Sequence, residues 1–362
     1  MTLRTRRTFL KTGYAAVLPS TLPAMAAPTM LWHMPDEGDP HRRTWMAFGA
    51  SREIWGDKLL PHVRKDLARV ANAIARFEPV TMLVRPEDRA TAQNLVNAAV
   101  TLVDCEIDDL WMRDTGPVFV HNAAGKKAAI GFNFNGWGDK QEYARDALVA
   151  EFTAAQSHAR FISTHLVLEG GGIEVDGAGT AIMTESCVLN ANRNPSLSKL
   201  DCEAALKPLL GVDKIIWLPG VAGKDITDGH TDFYARFVRP GVVVAALDTD
   251  TYSFDHAVTK KHLEILRDST DAQGRALEVI VLQAPTQPRN PHRSKDLAAG
   301  YINFYVCNGA VIAPEFGDAK ADREAKTTLT RLFPGREIVQ IAIDAIAAGG
   351  GGIHCATQQE PR

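Results

Sequence analysis

Apolar residues along this chain recur with two different periods. Leu59, Leu60, Val63, Leu67, Val70, Ile74 and Phe77 fall on one face at helical spacing, which predicts a helix over Lys58–Phe77. Further helical segments are predicted over Glu87–Ala99, Lys140–Ala155, Pro195–Leu210, Phe254–Ala272 and Asp318–Phe333. Between them lie short strand-like runs bounded by turn chemistry. Pro117–His121 and Ala128–Phe134 flank Ala124-Gly125, and Ile173–Val175 and Thr180–Thr184 flank the segment 176–179. Asp232–Val238 and Val242–Leu247 flank Pro240-Gly241, and Tyr301–Cys307 and Ala310–Ala313 flank Asn308-Gly309.

Each of these four pairs reads as a hairpin followed by a helix and a further strand. Those strands are expected at Phe161–Leu168, Lys214–Leu218, Leu277–Leu282 and Glu337–Ile343. The unit strand–turn–strand–helix–strand therefore occurs four times, with hairpins starting about 50–70 residues apart, a spacing typical of repeat arrays. A fifth unit forms if the C-terminal run Ile353–Thr357 joins Thr44–Phe48, Lys58–Phe77 and Val80–Val84 from the other end of the chain. That closure would make the array circular. It predicts one α/β domain over residues 27–362, because no linker rich in Pro, Gly or Ser interrupts the series.

Composition narrows the function classes. With 45% hydrophobic and 23% charged residues among 362, the chain is globular rather than disordered or fibrous. A net charge of −3 leaves no global basic footprint for nucleic acid. No apolar run is long enough to span a bilayer. Residues 1–26 stand apart: Arg4, Arg6, Arg7 and Lys11 occur with no acidic residue. Thr5–Lys11 is similar to a twin-arginine export signal, and Ala24-Met25-Ala26 fits a cleavage site. The expectation is export to the periplasm or exterior by the twin-arginine machinery, with a mature chain beginning near Ala27. Five cysteines (105, 187, 202, 307 and 355) form no CxxC or metal-like cluster, and Cys105, Cys187 and Cys307 read as buried thiols.

The candidate chemistry sits at equivalent places in the repeat. Four polar segments precede or open the first strand of a unit: Trp111–Pro117, Glu169–Glu174, Asp228–Asp232 and Gly349–Cys355. In a circular array they would converge at one end of the central axis. They supply a cysteine, a histidine, several carboxylates and an indole. A cysteine needs a base or a lowered pKa to act as a nucleophile, and His230 can serve either as partner or as general acid/base. Asp114 and Asp232 would oppose a thiolate, but they make sense around a cationic ligand. A guanidinium offers paired donors to two carboxylates, and Trp111 can cover its face.

These segments (WMRDTGP, EGGGIE, DGHTD and GGGGIHCATQQEP) resemble those of the agmatine deiminase and bacterial-type peptidylarginine deiminase family, in the guanidine-modifying pentein superfamily. The resemblance spans 111–361. It implies a five-bladed α/β propeller of ββαβ units and hydrolysis of a guanidine to a urea and ammonia, with no cofactor and no metal. It places the nucleophile at Cys355, the general acid/base at His230, and the guanidinium-gripping carboxylates at Asp114 and Asp232. Glu169 matches an acidic residue that orients the histidine or the substrate; a turn carboxylate is the alternative. Trp111 is expected to wall the pocket or to serve as a core indole, and Arg113 to make a structural ion pair. His354 is expected to point away from Cys355, as neighbours on a strand do.

Substrate choice stays open at this stage. The agmatine-using branch usually carries an acidic residue four before the motif histidine, where this chain has Ile226; Asp225 and Asp228 flank it, and Asp225 is the candidate substrate contact. The run Tyr301–Phe304 matches the family's Tyr-x-Asn-Phe, with Gly300 before it where a small polar residue is common. Three readings follow: a deiminase of agmatine or a similar small guanidine, a deiminase of free or peptidyl arginine, and a non-catalytic guanidine-binding protein on the same scaffold. The retained cysteine, histidine and aspartates speak against the third. Oligomeric state is not legible.

Overall fold

A computed structural model describes residues 32–362; the leader expected over 1–26 lies outside the described residues. The strands form five separate small sheets. In four of them an antiparallel hairpin is followed by a strand parallel to the hairpin's second member. These sheets are built from Val118–Asn122, Lys127–Gly131 and Arg160–Ser163; from Glu174–Val175, Thr180–Thr184 and Lys214–Leu218; from Ala235–Arg239, Val242–Leu247 and Glu278–Gln283; and from Tyr305–Cys307, Ala310–Glu315 and Glu337–Ala342. Trp32–His33 adds an edge strand to the first. The parallel partner needs a crossover, supplied by a single helix in the last two of these sheets (Asp255–Asp268 and Ala319–Leu332) and by more than one helical segment in the first two.

The fifth sheet is assembled from both ends of the chain. Thr357–Pro361 runs antiparallel to His41–Phe48, with Thr357 opposite Met46, and Val80–Val84 and Val100–Asp104 continue in parallel. The closing strand begins where the sequence predicted it to end. Residues 353–356 are instead a turn, in which the Ala356 amide donates to Gly352 (3.3 Å) and the Thr357 amide to His354 (3.1 Å).

Local chemistry explains where the elements depart from the hydrophobic pattern. The first long helix runs Arg52–Ile74, three residues short of Phe77, and Gly56 (φ 64°) kinks it so that Pro61 falls near the start of the regular part. The helix expected to reach Ala99 stops at Leu95, because Val96 is extended and the chain turns into the strand Val100–Asp104, which the sequence reading missed. Of Lys140–Ala155 only Val149–Gln156 is α-helical. The Asp108 carboxylate takes the amides of Arg145 (2.8 Å) and Asp146 (3.2 Å) and holds the preceding stretch irregular. Helix Lys199–Leu210 has both ends fixed by sequence: a Ser198–Asp201 capping box and Gly211 at φ 67°.

The apolar residues form several separate clusters rather than one core. Between them lies a buried polar centre. Arg113 and Arg236 are 2% and 1% exposed, and both donate to Glu37, at 3.2 and 2.8 Å. Buried ion pairs of this kind add little net stability, because desolvation offsets their attraction; what they fix is geometry. Arg113 thus makes the structural ion pair expected of it.

Candidate active site

Each sheet's first strand is entered through a short turn, and the five turns carry the polar residues of interest. Met112–Thr115 carries Asp114, Gly170–Gly172 follows Glu169, and Thr231–Phe233 carries Asp232 and follows His230. The loops ahead of Tyr305 and Thr357 carry Asn303 and Cys355. Asp114, Glu169, His230, Asp232 and Cys355 are all brought together and all buried.

His230 is presented by a strained turn. Asp228 adopts φ 61°, a conformation that costs a non-glycine residue on the order of 1–3 kcal/mol. Its side chain holds the strain in place: it accepts from the Gly223 amide (2.8 Å), Lys140 (2.7 Å), Asn192 (3.0 Å) and Arg193 (2.9 Å). Asp225 accepts from the Thr227 amide and hydroxyl, both at 2.6 Å, and that hydroxyl accepts the His230 amide at 3.0 Å. Asp225, expected at the substrate, is thus placed in the loop that presents His230, and none of its hydrogen bonds reaches the five clustered residues.

The imidazole of His230 sits between two carboxylates. Nε2 lies 3.2 Å from Glu169 Oε2, and Nδ1 lies 3.7 Å from Asp114 Oδ1 with no hydrogen-bond partner. Burial works against its protonation. The charge of Asp114 and the bonds to Cys187 and Glu169 outweigh that and hold the imidazole well above its ordinary pKa. Glu169 is itself anchored by Arg193 Nε, at 2.9 and 3.0 Å to its two oxygens, and its pKa is held down against burial by His230 and that guanidinium.

The two aspartates differ in state. Burial pushes Asp114 up to about 6; His230 and the Trp137 indole N–H, 3.0 Å from Oδ2, limit the rise. Asp232 is equally buried, yet its bond to His354 keeps it below the carboxylate range. His354 Nδ1 is 2.7 Å from Asp232 Oδ2, and Nε2 is 2.8 Å from Glu37 Oε2. On balance burial, Arg113 and Arg236 lower the pKa of that imidazole, against the pull of Glu37 and Asp232. Its contacts nevertheless have the geometry of an imidazolium, with a carboxylate oxygen under 3 Å from each ring nitrogen.

Cys355 Sγ lies 3.6 Å from Asp232 Oδ2 and 3.3 Å from Asn303 Nδ2. Burial, then Asp232 and Asp114, drives its thiol well above the usual range. Asn303 Oδ1 takes the amides of His354 (2.9 Å) and Cys355 (3.3 Å), which fixes the backbone at Cys355. A Cβ on Gly352 would come within 2.3 Å of that same oxygen, so only glycine fits there. Because residues 353–356 turn, His354 does not point away from Cys355 as a strand would require; both side chains touch Asp232 Oδ2.

Two buried polar atoms in this cluster have no partner: Asp232 Oδ1 and His230 Nδ1. They leave an acceptor and a cationic donor open beside a thiol, and a ligand with the complementary groups would satisfy both. The model of Porphyromonas-type peptidyl-arginine deiminases matches residues 33–361. The chain belongs to this family. An agmatine deiminase of Pseudomonas aeruginosa is 39% identical over 355 residues, covering 91% of this chain and 95% of its own. One of Stutzerimonas stutzeri is 40% identical, with the same coverage. The solved agmatine deiminase of Enterococcus faecalis superposes with a TM-score of 0.87 at 32% identity, covering 92% of this chain and 96% of that one. An amidinotransferase of Microseira wollei, at 11% identity and a TM-score of 0.53, shares the fold alone.

Some contributors to the cluster carry no role in the sequence analysis. Asn303 lies in the recognised Tyr-x-Asn-Phe run, but its role at sulfur was not assigned. Trp137 stands between Gly136 and Gly138 at φ 58°; a tryptophan flanked by glycines was the available signal. Glu37, Arg193 and Cys187 carried none. Trp111 is 7% exposed, its ring 5.9 Å from that of Trp55 and laid against Gly351, so it belongs to core and cluster together. Glu169, Cys187 and His230 bring three ligand atoms within 4.8 Å of one another. Arg193 already places a cation on both oxygens of Glu169, which disfavours a metal there. All five cysteines are free thiols.

Proposed function

We propose that this chain hydrolyses the guanidine of agmatine, or of a closely similar small guanidine, to a ureido product and ammonia. The observation that carries this reading is the pair of unpartnered buried atoms, Asp232 Oδ1 and His230 Nδ1, beside Cys355. Asp232 and Asp114 take the guanidinium N–H groups. The bound cation offsets the two negative charges that keep the thiol protonated, and thiolate forms when substrate arrives. Cys355 Sγ attacks the guanidinium carbon. His230, protonated at neutral pH, donates a proton to the departing nitrogen, and ammonia leaves. The amidino-thioether is then attacked by water, whose proton returns to His230. Collapse breaks the C–S bond, the remaining hydroxyl proton passes to the departing sulfur, and the urea and the Cys355 thiol are released.

The names of the relatives support agmatine as the first substrate to test, and the family description makes peptidyl arginine the contrast. Ureido-product formation from agmatine, free arginine and a short arginine peptide separates them, with Cys355→Ser as control. Agmatine turnover that is absent in the serine variant is the expected result. Turnover of the peptide alone moves the chain to the peptidylarginine branch, and no turnover of any substrate overturns the reading.

Two further proposals accompany it. The five sheets are read as blades of one closed propeller, on the strength of their repeated topology and of the sheet shared by the two chain ends. Export through the twin-arginine route rests on Arg6-Arg7 and Ala24-Met25-Ala26 alone. Replacing both arginines by lysine should leave uncleaved protein on the synthesis side of the membrane; unchanged secretion would refute export by that route.

A further inference from the structure

Two carboxylate–imidazole–carboxylate chains meet at the cluster. One runs from Glu169 through His230 towards Asp114, with contacts of 3.2 and 3.7 Å. The other runs from Glu37 through His354 to Asp232, with contacts of 2.8 and 2.7 Å. The first leaves Nδ1 open, as an acid/base must. The second has both nitrogens engaged, so it has no site from which to pass a proton to a ligand.

We propose that His354 acts as a fixed cation that positions Asp232 and eases ionisation of Cys355. The inference rests on the deiminase reading of the same site. Asp232 Oδ2, the oxygen that His354 holds, is also the one 3.6 Å from Cys355 Sγ. With Oδ2 bound, Oδ1 is the oxygen left to grip the substrate. With a positive ring on Oδ2, the carboxylate opposes a nearby thiolate less strongly. The charged groups facing His354 are Asp232 and Glu37 on its two nitrogens, with Arg113 and Arg236 behind Glu37. Arg113 also donates from Nε to the His354 carbonyl (3.3 Å) and from its backbone N–H to the Cys355 carbonyl (3.0 Å), so the cation and the nucleophile share one anchor.

The test separates charge from packing. His354→Asn keeps an N–H near the position of Nδ1, and His354→Gln keeps one near Nε2; neither carries charge. The rate of Cys355 alkylation by iodoacetamide, followed by peptide mass, is measured against pH without substrate. In both variants the titration should move up by about one unit, so that alkylation near neutrality slows about tenfold. KM for agmatine should rise about tenfold, because Oδ1 is no longer held for the guanidinium. A folded variant with the titration and KM of the unaltered chain overturns the proposal. If neither variant folds, ¹⁵N-histidine spectra of the unaltered chain decide. Two protonated nitrogens on His354 from pH 5 to 8 are expected, and a bare nitrogen at neutral pH overturns the idea. The alkylation and the spectra need no turnover, so a chain that titrates as expected yet never deiminates agmatine sinks the proposed function and not this inference.

Discussion

Gly171 turns its missing side chain towards His230: a Cβ there would lie 2.5 Å from Nδ1, and 2.9 Å from Asp114 Oδ1. The space a methyl would fill is the space between the acid and the carboxylates. Gly171→Ala should therefore fold, with a circular-dichroism spectrum like that of the unaltered chain, and lose at least about 100-fold in kcat/KM, as misplacement at a reacting centre commonly does. Retained turnover would show that the guanidinium lies elsewhere.

Asp114 must be ionised to hold a cation, and its carboxyl is pushed up to about 6. For agmatine, kcat/KM should fall as pH drops through about 6. The limb in kcat should lie lower, because bound guanidinium favours the carboxylate. Measured profiles with coincident limbs, or none above pH 5, would contradict this.

Stability should run the other way. Asp36 and Glu174 are raised to about 7, and Asp109, Asp114 and Asp255 to about 6, mainly by burial. Each binds its proton more tightly folded than unfolded, so each favours the fold increasingly as pH falls through those values towards 4. The raised His230 has the same sign: its contribution is present below its unfolded pKa and lost as pH rises through the folded one. Buried His262, lowered to about 4, opposes them below pH 6.5. The expected net result is a Tm higher by about 1.5–3 °C at pH 5.5 than at pH 8, on the scale of one or two kcal/mol. Calorimetry at both values checks it.

Arg193 is wholly buried and serves Glu169 and Asp228 together. Arg193→Met leaves both carboxylates buried without their cation. The expected loss is about 3–5 kcal/mol in urea unfolding, the range for removing one partner of a buried pair. A loss below 1 kcal/mol would mean that Lys140 and Asn192 suffice.

Chelation tests the remaining ligand set. Because Arg193 supplies the cation at Glu169, exhaustive dialysis against a chelator should leave agmatine turnover unchanged, and Cys187→Ala should keep most of it. Loss on chelation, restored by a divalent metal, would return Glu169, Cys187 and His230 to the role of ligands.

Much of this architecture was legible from period and turn chemistry. The four internal units stand where alternation and Gly-containing turns placed them, because each buries its own apolar face and signals its own bends. What failed were positions decided by side chain–backbone bonds over distance. Asp108 unwound the start of a predicted helix from 37 residues away. The turn at 353–356 moved a strand by four residues and reversed the expected direction of His354. In the cluster, residues inside contiguous motifs could be read. Glu37 and Arg193 could not, since a buried charge is recognised only by the partners that folding brings to it.

The shared sheet has a bearing on how the protein is made. Synthesis runs from one end, so Glu37, Asp114, Glu169, His230 and Asn303 all exist before Cys355 does. Until residues 357–361 emerge from the ribosome, the strand His41–Phe48 has an unpaired edge bearing Trp45 and Met46, which invites association with other chains. Pairing across more than about 300 residues is also slow, because the chain must first be gathered in. A nascent chain of this protein is therefore without Cys355, and adhesive at that edge, for most of its synthesis, and the thiol arrives only just before the last strand of the shared sheet.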